Sequence, residues 1–338
     1  MVGADIIGET MGKLVAGQWT EDDPQSTASG DGSFKRPDSV LRSWVTPDGA
    51  PGPSGDGGFA AVPGRYHLYV AINCPWAHRT MIMRSLKKLE DVVSMSIVRP
   101  NRGPESWTFD EALGYRDDLF GKSNLHEIYT TSHADYTGRV TVPVFFDKEQ
   151  GVIVSNESSE IIRMFNAAFN EWAETTHDYY PHNLQPVVDK WNERIYATVN
   201  NGVYRAGFAR SQEAYEKGYD DVFETLDALD AHLGTNRYIA GATLTEADIR
   251  ALPTLVRFDV AYYGAFRCNK KKISDYEHLS GYVRELYQLP GVAETVNTDV
   301  YKAGYYSKSK ERNPLGIIPE GPVVDFTAPH GRDAVASA

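Results

Sequence analysis

Apolar residues change their spacing twice between residues 66 and 98. A continuous apolar run at residues 66–72 predicts a buried strand, and apolar positions at helical spacing over residues 75–89 predict a helix. A second apolar run at residues 92–98 predicts another strand. Because two strands joined through a helix pair in parallel by a right-handed crossover, this stretch predicts a β-α-β unit.

The pattern then continues into a hairpin. Residues 140–147 predict a third strand, and residues 148–151 are a turn signal before a short fourth strand at 152–154. Polar residues 155–160 open an amphipathic helix. The order β-α-β, β-hairpin and helix is that of a thioredoxin-like α/β domain, which we place at residues 66–175.

Helical spacing dominates the second half of the chain. Residues 222–233 are amphipathic and end before Gly234, and Thr245–Asp248 match the capping box that begins a helix. We therefore predict an all-helical domain at residues 185–322 and an irregular tail at residues 323–338. The predicted fold class is an α/β thioredoxin-like domain followed by an all-α domain.

Residues 1–65 are predicted to form an extended arm. Gly, Pro, Ser and Asp are concentrated there, above all at residues 47–58, and such a composition buries little apolar surface. Four aromatic residues interrupt the arm, which predicts that it is pinned to the globular part. They are Trp19, Phe34, Trp44 and Phe59.

Charge and composition narrow the classes of partner. The chain of 338 residues carries a formal net charge of −12, which disfavours nucleic acid and anionic membranes as general partners. The N-terminal residues lack a continuous apolar segment as long as a signal peptide or a membrane span. The two cysteines lie far apart and do not predict a disulfide framework. We expect a reducing, cytoplasmic compartment.

One of these cysteines, Cys74, lies between the first predicted strand and the first predicted helix. With Pro75 at the first helical position, Cys74 occupies the helix N-terminus, where the helix dipole and free N–H groups stabilise a thiolate. A small buried core cysteine is the alternative interpretation. Residue 77 is Ala, so a Cys-x-x-Cys pair is absent and an external thiol must resolve any mixed disulfide. The other cysteine, Cys268, is expected to be structural.

Short motifs spread over both predicted domains carry a family resemblance. The chain resembles the cytosolic glutathione transferases and, within them, the glutathionyl-hydroquinone reductases, also called Xi-class glutathione transferases. The resemblance extends from the arm to about residue 322. The motifs are Trp44–Gly49, Cys74–Arg79, Val142–Pro143, Asn156–Ser158, Gly202–Ala209, Thr245–Asp248 and Asn313–Pro319.

The resemblance implies glutathione-dependent reduction of S-glutathionyl-hydroquinones to hydroquinones. A Cys74–glutathione mixed disulfide forms, and a second glutathione resolves it to glutathione disulfide. The resemblance also implies a homodimer that pairs through the helical domains. Omega-like thiol transfer or dehydroascorbate reduction is an alternative, and a non-catalytic binding module with a transferase fold is another.

The resemblance further implies a glutathione site. A cis bond before Pro143 would expose the backbone of Val142 to the cysteinyl part of glutathione, although a strand-edge proline is an alternative. At the next helix N-terminus, Ser158 suits the γ-glutamyl carboxylate and Glu157 the ammonium, and an ordinary helix cap made from Ser and Asn is compatible with this. By resemblance alone, Trp107 flanks the peptide and Arg139 pairs with its glycyl carboxylate. On the residues alone, a packing Trp and a solvated Arg are expected.

Tyrosine hydroxyls suit a hydroquinone leaving group because they donate hydrogen bonds and stack on aromatic rings. Tyr204, in Gly202–Ala209, and Tyr305, in a further family motif at Lys302–Tyr306, are the predicted catalytic tyrosines. The choice between Tyr305 and Tyr306 remains open. The histidines and cysteines do not have zinc-ligand spacing, so no metal is expected.

Overall fold

A computed structural model describes residues 12–21, 28–309 and 312–335. Parts of the predicted arm (1–11 and 22–27) and the last residues of the predicted tail (336–338) lie outside these described residues. The chain divides into two compact units, each composed of three segments. The first unit takes its described residues from 1–26, 38–175 and 299–319, and the second from 27–37, 176–298 and 320–338.

These units differ from the predicted domain bounds in two segments. Residues 299–319, predicted as part of the helical domain, belong to the first unit. Residues 27–37 of the predicted arm belong to the second. Both segments join their unit through tertiary packing, which local sequence patterns do not encode.

The described part of the first unit holds nine strands in three sheets. The strands are β1 (Lys13–Val15), β2 (Gln18–Thr20), β3 (Val45–Thr46), β4 (Phe59–Ala60), β5 (Tyr66–Val70), β6 (Ser94–Ile97), β7 (Gly138–Arg139), β8 (Val144–Asp147) and β9 (Val152–Ser155).

The central sheet has the strand order β6-β5-β8-β9. Strand β5 pairs in parallel with β6 and antiparallel with β8, and β8 pairs antiparallel with β9. All five residues of β5 are buried, as expected for an inner strand with a continuous apolar run. This arrangement confirms the predicted thioredoxin-like order.

The predicted third strand is shorter than expected. Ladder pairing begins at Val144, not at residue 140. Pro143 lacks an N–H group to donate to a ladder, so the residues before it leave the central sheet. Gly138–Arg139 instead form β7, which pairs with β1.

Ten α-helices occur in the described residues. They are α1 (Pro75–Leu86), α2 (Leu125–Ser132), α3 (Ser158–Ala167), α4 (Gln185–Ile195), α5 (Gly202–Gly207), α6 (Gln212–Leu233), α7 (Glu246–Arg257), α8 (Tyr263–Ala265), α9 (Leu279–Tyr287) and α10 (Thr298–Tyr305). Helices α1 and α3 pack against each other in the first unit.

The arm segment from residue 38 is pinned to the first unit, as its aromatic residues predict. The Ser43 N–H donates to the Val154 carbonyl at 2.9 Å, and the Asn156 N–H donates to the Leu41 carbonyl at 3.0 Å. Val45 is fully buried. These contacts run along β9 and bring the arm to the N-terminus of α3.

The second unit contains α4–α9. A π-helical turn follows α4 at Tyr196–Asn200, and another follows α7 at Phe258–Tyr262. Helix α7 begins with the predicted capping box of Thr245 and Asp248, which is confirmed. Asp248 also accepts a 2.6 Å hydrogen bond from the Tyr282 hydroxyl, and burial raises the pKa of its carboxyl.

The C-terminal tail lacks regular structure, as predicted, and its side chains pack on the second unit. Arg332 is 3% exposed and donates to Glu285 Oε2 at 3.0 Å. Its other nitrogens donate to backbone carbonyls within residues 233–237 at 2.8–3.1 Å. Within the residues that the structure describes, the helices are too short or too polar to cross a membrane.

Candidate active site

Cys74 is the N-cap residue of α1. Its backbone is extended, Pro75 takes the first helical position, and the His78 N–H donates to the Cys74 carbonyl at 3.0 Å. The half-buried thiol lies with Sγ 3.6 Å from the carbonyl oxygen of Val142. The predicted position at a helix N-terminus is confirmed, and the alternative of a fully buried core cysteine is wrong.

The peptide bond between Val142 and Pro143 is cis, as predicted. Tyr129 holds the preceding residue, because its hydroxyl donates to the Thr141 carbonyl at 2.9 Å and accepts from the Thr141 N–H at 3.2 Å. The Asn156 side chain adds a bond to the same hydroxyl at 3.3 Å. This hydrogen-bond network therefore fixes the Val142 backbone beside Cys74. The sequence analysis did not identify Tyr129, because no local pattern distinguishes it from the other tyrosines.

Glu157 is itself the N-cap of α3, where the sequence suggested a cap made from Ser and Asn. Its Oε1 accepts from the Ser159 N–H at 2.9 Å and from the Ser159 hydroxyl at 2.8 Å. Burial alone would raise the pKa of the Glu157 carboxyl, but hydrogen bonds from Ser159 and Ser39 and the charge of Arg79 hold this pKa below its ordinary value. Ser158 is the first helical residue and is 3% exposed. A carboxylate and a helix N-terminus therefore lie side by side.

Trp107 is 4% exposed, and the guanidinium carbon of Arg102 lies 4.5 Å from a ring centroid of its indole. The Leu125 N–H donates to the Trp107 carbonyl at 2.9 Å, which ties the residue to the start of α2. The sequence reasoning did not identify Arg102.

Arg139 lies in β7, opposite Lys13 of β1. The Tyr136 hydroxyl donates to the Arg139 carbonyl at 3.2 Å. Arg139 therefore comes from a short strand of its own and not from the start of the third strand.

Helix α10 packs on the loop that carries the cysteine. At Gly304, a Cβ atom would lie 2.7 Å from Asn73 Nδ2. Tyr301 is fully buried, and its ring centroid lies 6.2 Å from that of His78 in α1. Tyr305 is the last residue of α10 and Tyr306 follows it, and both are half-buried. The first unit thus brings the end of α10 to the residue before Cys74.

Tyr204 lies on α5 in the second unit, within a cluster of aromatic rings. Its ring is nearly parallel to that of Phe208 at 6.0 Å and meets Phe266 and Tyr262 edge-on at 5.3 and 6.0 Å. Phe34 of the arm stacks on the same cluster.

Cys268 is fully buried, and burial raises the pKa of its thiol to about 12. This agrees with a structural thiol. Among the residues that the structure describes, no group of three His, Cys, Asp or Glu side chains is placed to hold a metal ion.

Comparison with known proteins agrees with this architecture. The glutathione S-transferase N-terminal domain model matches residues 73–168, and the C-terminal domain model matches residues 212–285.

Three similar proteins span nearly the whole chain. Glutathionyl-hydroquinone reductase YqjG of Escherichia coli is 52% identical over 96% of this chain and 99% of its own, and its glutathione-bound structure has a TM-score of 0.88. Glutathionyl-hydroquinone reductase PcpF of Sphingobium chlorophenolicum is 45% identical over 92% of this chain and 96% of its own. A Xi-class transferase from Natrialba magadii is 45% identical over 96% of this chain and 98% of its own, with a TM-score of 0.89.

Proposed function

Because the chain belongs to the glutathionyl-hydroquinone reductases, the Xi class of glutathione transferases, we propose that it reduces S-glutathionyl-hydroquinones to hydroquinones with glutathione as co-substrate. The observation that carries this proposal is the half-buried thiol of Cys74 at the N-terminus of α1, 3.6 Å from the Val142 carbonyl. A cysteine at this position forms a mixed disulfide, whereas a conjugating transferase commonly uses Ser or Tyr to hold the glutathione sulfur.

The reaction has two thiol exchange steps. The Cys74 thiolate attacks the sulfur of the glutathionyl-hydroquinone in its keto form. An S–S bond forms, the bond from sulfur to the ring carbon breaks, and its electron pair passes to the ring as an enolate. A second glutathione thiolate then attacks the glutathione sulfur of the mixed disulfide, which releases glutathione disulfide and restores the Cys74 thiolate.

The enolate needs a proton to become a hydroquinone, and we assign this role to tyrosine hydroxyls. Tyr204 and Tyr305 donate hydrogen bonds to the ring oxygens, and one of them passes its proton to the enolate oxygen. Water returns the proton to the phenol. The packing of α10 on Asn73 supports Tyr305, and the aromatic cluster around Tyr204 supports a ring-binding role for that residue.

The glutathione site follows the same residues as the sequence prediction. The Val142 backbone pairs with the cysteinyl part of the peptide, and the N-terminus of α3 with Ser158 takes the γ-glutamyl carboxylate. Glu157, with its lowered pKa, takes the ammonium as a carboxylate. Arg139 pairs with the glycyl carboxylate, and Trp107 flanks the peptide.

The test is to incubate the protein with glutathionyl-menadiol and free glutathione and to measure the release of menadiol. We expect Cys74→Ala to abolish release and the buried control Cys268→Ala to retain it. Intact mass spectrometry should detect one glutathione adduct on the wild type and none on Cys74→Ala. A wild type that leaves the conjugate intact but conjugates glutathione to an aryl halide would overturn the proposal.

Two alternatives give different outcomes in the same assays. An omega-like thiol transferase would reduce dehydroascorbate or a glutathionylated peptide and leave glutathionyl-menadiol unchanged. A binding module would form no adduct on Cys74. Each result contradicts the reductase.

The reductase is proposed to work as a homodimer that pairs through the helical unit, in a reducing, cytoplasmic compartment. Val187 of α4 in that unit is a large apolar side chain that is 43% exposed, and we use it to test the pairing. Light scattering should give twice the chain mass, and Val187→Glu should reduce it to the monomer mass. A monomeric wild type at micromolar concentration would contradict the pairing.

A further inference from the structure

The arm segment that precedes residue 38 is held on the second unit. The Arg210 N–H donates to the Gly32 carbonyl at 2.9 Å, and the Ser211 hydroxyl donates to the Asp31 carbonyl at 2.9 Å. Phe34 stacks on Phe208 at 5.3 Å. This segment is therefore anchored at its backbone and at an aromatic side chain before it reaches Arg36.

Arg36 lies over the ring of Tyr204. Its guanidinium carbon is 4.7 Å from the Tyr204 ring centroid and 5.5 Å from that of Phe34. Its Nε donates to Asn201 Oδ1 at 2.9 Å, which fixes the plane of the guanidinium. Asn201 directly precedes α5, the helix that carries Tyr204. The N-terminal end of this helix therefore positions both the guanidinium and the ring.

Other charged groups near α5 have different contacts or exposed side chains. Arg205 is paired with Asp221 at 2.7 Å, and Arg267 donates to the Gly207 carbonyl at 3.4 Å and lies over the ring of Tyr215. The side chains of Lys35 and Arg210 are exposed. The printed ring contacts of Tyr204 are all to aromatic side chains, which are Phe34, Phe208, Tyr262 and Phe266. Arg36 is thus a cation that the structure holds on the face of this ring.

A cation on the face of an aromatic ring is attracted by the negative charge of the π-system. This attraction grows when the phenol gives up its proton and the ring gains negative charge. We propose that Arg36 is a positioning residue that acts through Tyr204. It orients the ring and stabilises the charge that Tyr204 acquires when its proton passes to the enolate of the leaving hydroquinone. The proposal rests on the proposed function and assigns to the N-terminal arm a part in the chemistry.

The first test compares kcat for glutathionyl-menadiol at saturating glutathione. We expect Arg36→Gln to lower kcat roughly tenfold, the size of effect that a partly desolvated cation–π contact allows. Arg36→Lys keeps the charge and should recover most of the rate. The matched control Lys35→Gln removes an exposed charge from the neighbouring position and should leave kcat unchanged. The KM for glutathione should stay the same in all three variants.

A double-mutant cycle separates an action through Tyr204 from support of the fold. In a Tyr204→Phe background, Arg36→Gln should cause no further loss, because the hydroxyl on which it acts is absent. In the Tyr204 background, Arg36→Gln should move the alkaline decline of kcat to higher pH. Thermal melts verify that each variant is folded. If Arg36→Gln does not fold, the kcat of Arg36→Lys is compared with the wild type instead.

If the wild type is active, three results would overturn the proposal for Arg36 and leave the proposed function intact. They are an unchanged kcat in Arg36→Gln, an equal loss in both backgrounds, and a Tyr204→Phe variant as fast as wild type. An inactive wild type would instead overturn the proposed function, and the inference with it.

Discussion

Gly304 of α10 lies directly against the side chain of Asn73, the residue before Cys74. A Cβ atom at position 304 would lie 2.7 Å from Asn73 Nδ2 and 3.1 Å from Asn73 Cβ. The same amide donates to the Pro100 carbonyl at 2.7 Å, so Asn73 has little freedom to move aside. Helix α10, which belongs to the first unit, therefore sets the position of the loop that leads into Cys74.

Gly304→Ala should lower activity with only a small loss of stability. The added methyl group displaces Asn73 and with it Cys74, and a displacement of this order can cost about tenfold to a hundredfold in kcat/KM. Overpacking costs about 1–3 kcal/mol, and the helix preference of alanine over glycine offsets about 1 kcal/mol of it, so the melting temperature should fall only slightly. The measurement is steady-state kinetics together with a thermal melt. Gly30→Ala, where a Cβ meets nothing within 4 Å, is the control, and equal kinetics for the two variants would contradict the proposed packing effect.

Tyr129→Phe should weaken glutathione binding and the fold together. The Tyr129 hydroxyl serves the N–H and carbonyl of Thr141 and the side chain of Asn156, and its removal leaves these groups short of a partner. We expect a loss of about 1–3 kcal/mol in the free energy of unfolding and a weaker affinity for glutathione in calorimetry.

The control for this variant is Tyr180→Phe. Tyr180 has an exposed hydroxyl that donates to Asp189. The Tyr180→Phe variant should therefore bind glutathione with unchanged affinity. Wild-type affinity in Tyr129→Phe would show that the Val142 backbone does not depend on this network.

His67 should make stability depend on pH in the acid range. Burial lowers the pKa of His67 from 6.5 to about 4, and its Nε2 is buried without a hydrogen-bond partner among the described residues. Between these two pH values the unfolded chain binds a proton that the folded chain does not. The free energy of unfolding should therefore be constant above pH 6.5 and fall by about 3 kcal/mol as the pH decreases to 4.

Urea unfolding of the wild type and of His67→Asn isolates this contribution. The asparagine keeps a polar group for Ser94, which bonds His67 Nδ1 at 2.8 Å, but does not titrate. The difference in unfolding free energy between the two proteins should change across pH 4–6.5 and be level above it. A difference independent of pH would contradict the role of His67.

Arg332→Ala should destabilise the second unit. The mutation removes the more deeply buried of two arginines on Glu285 and the donors to three carbonyls. Because Arg237 still pairs with Glu285, the main cost is the unmade hydrogen bonds, and we expect a loss of about 1–3 kcal/mol. Denaturant unfolding measures the loss. Arg116→Ala, which removes an exposed pair with Asp118, should leave the free energy of unfolding nearly unchanged. Similar losses in the two variants would mean that the tail contributes no more than a surface contact.

Local sequence patterns were sufficient to predict features that a single short segment forms. The position of Cys74 follows from an apolar strand, a proline at the first helical position and helical spacing beyond it. The capping box of Thr245 and Asp248 likewise needs only four consecutive residues. The predicted extent of the third strand was wrong, because the pattern of apolar residues continues through Pro143 although proline has no N–H group to donate to a strand ladder.

Other features had no local signal. Tyr129 is one of 20 tyrosines, and its position beside Thr141 depends on how α2 packs. Arg36 lies in a stretch whose composition predicts an extended arm, and only the docking of that arm on α5 brings it over Tyr204.

The sequence by itself determined the thioredoxin-like and helical parts, the position of Cys74 at a helix N-terminus and the family. Each of these depends on the order of residues along short stretches, where helix and strand periodicity and capping act. Only the tertiary structure decided which distant groups meet within each unit: Gly304 against Asn73 and Tyr129 on Thr141 in the first unit, and Arg36 over Tyr204 in the second. These contacts join residues far apart in the chain, and the packing of whole elements brings them together.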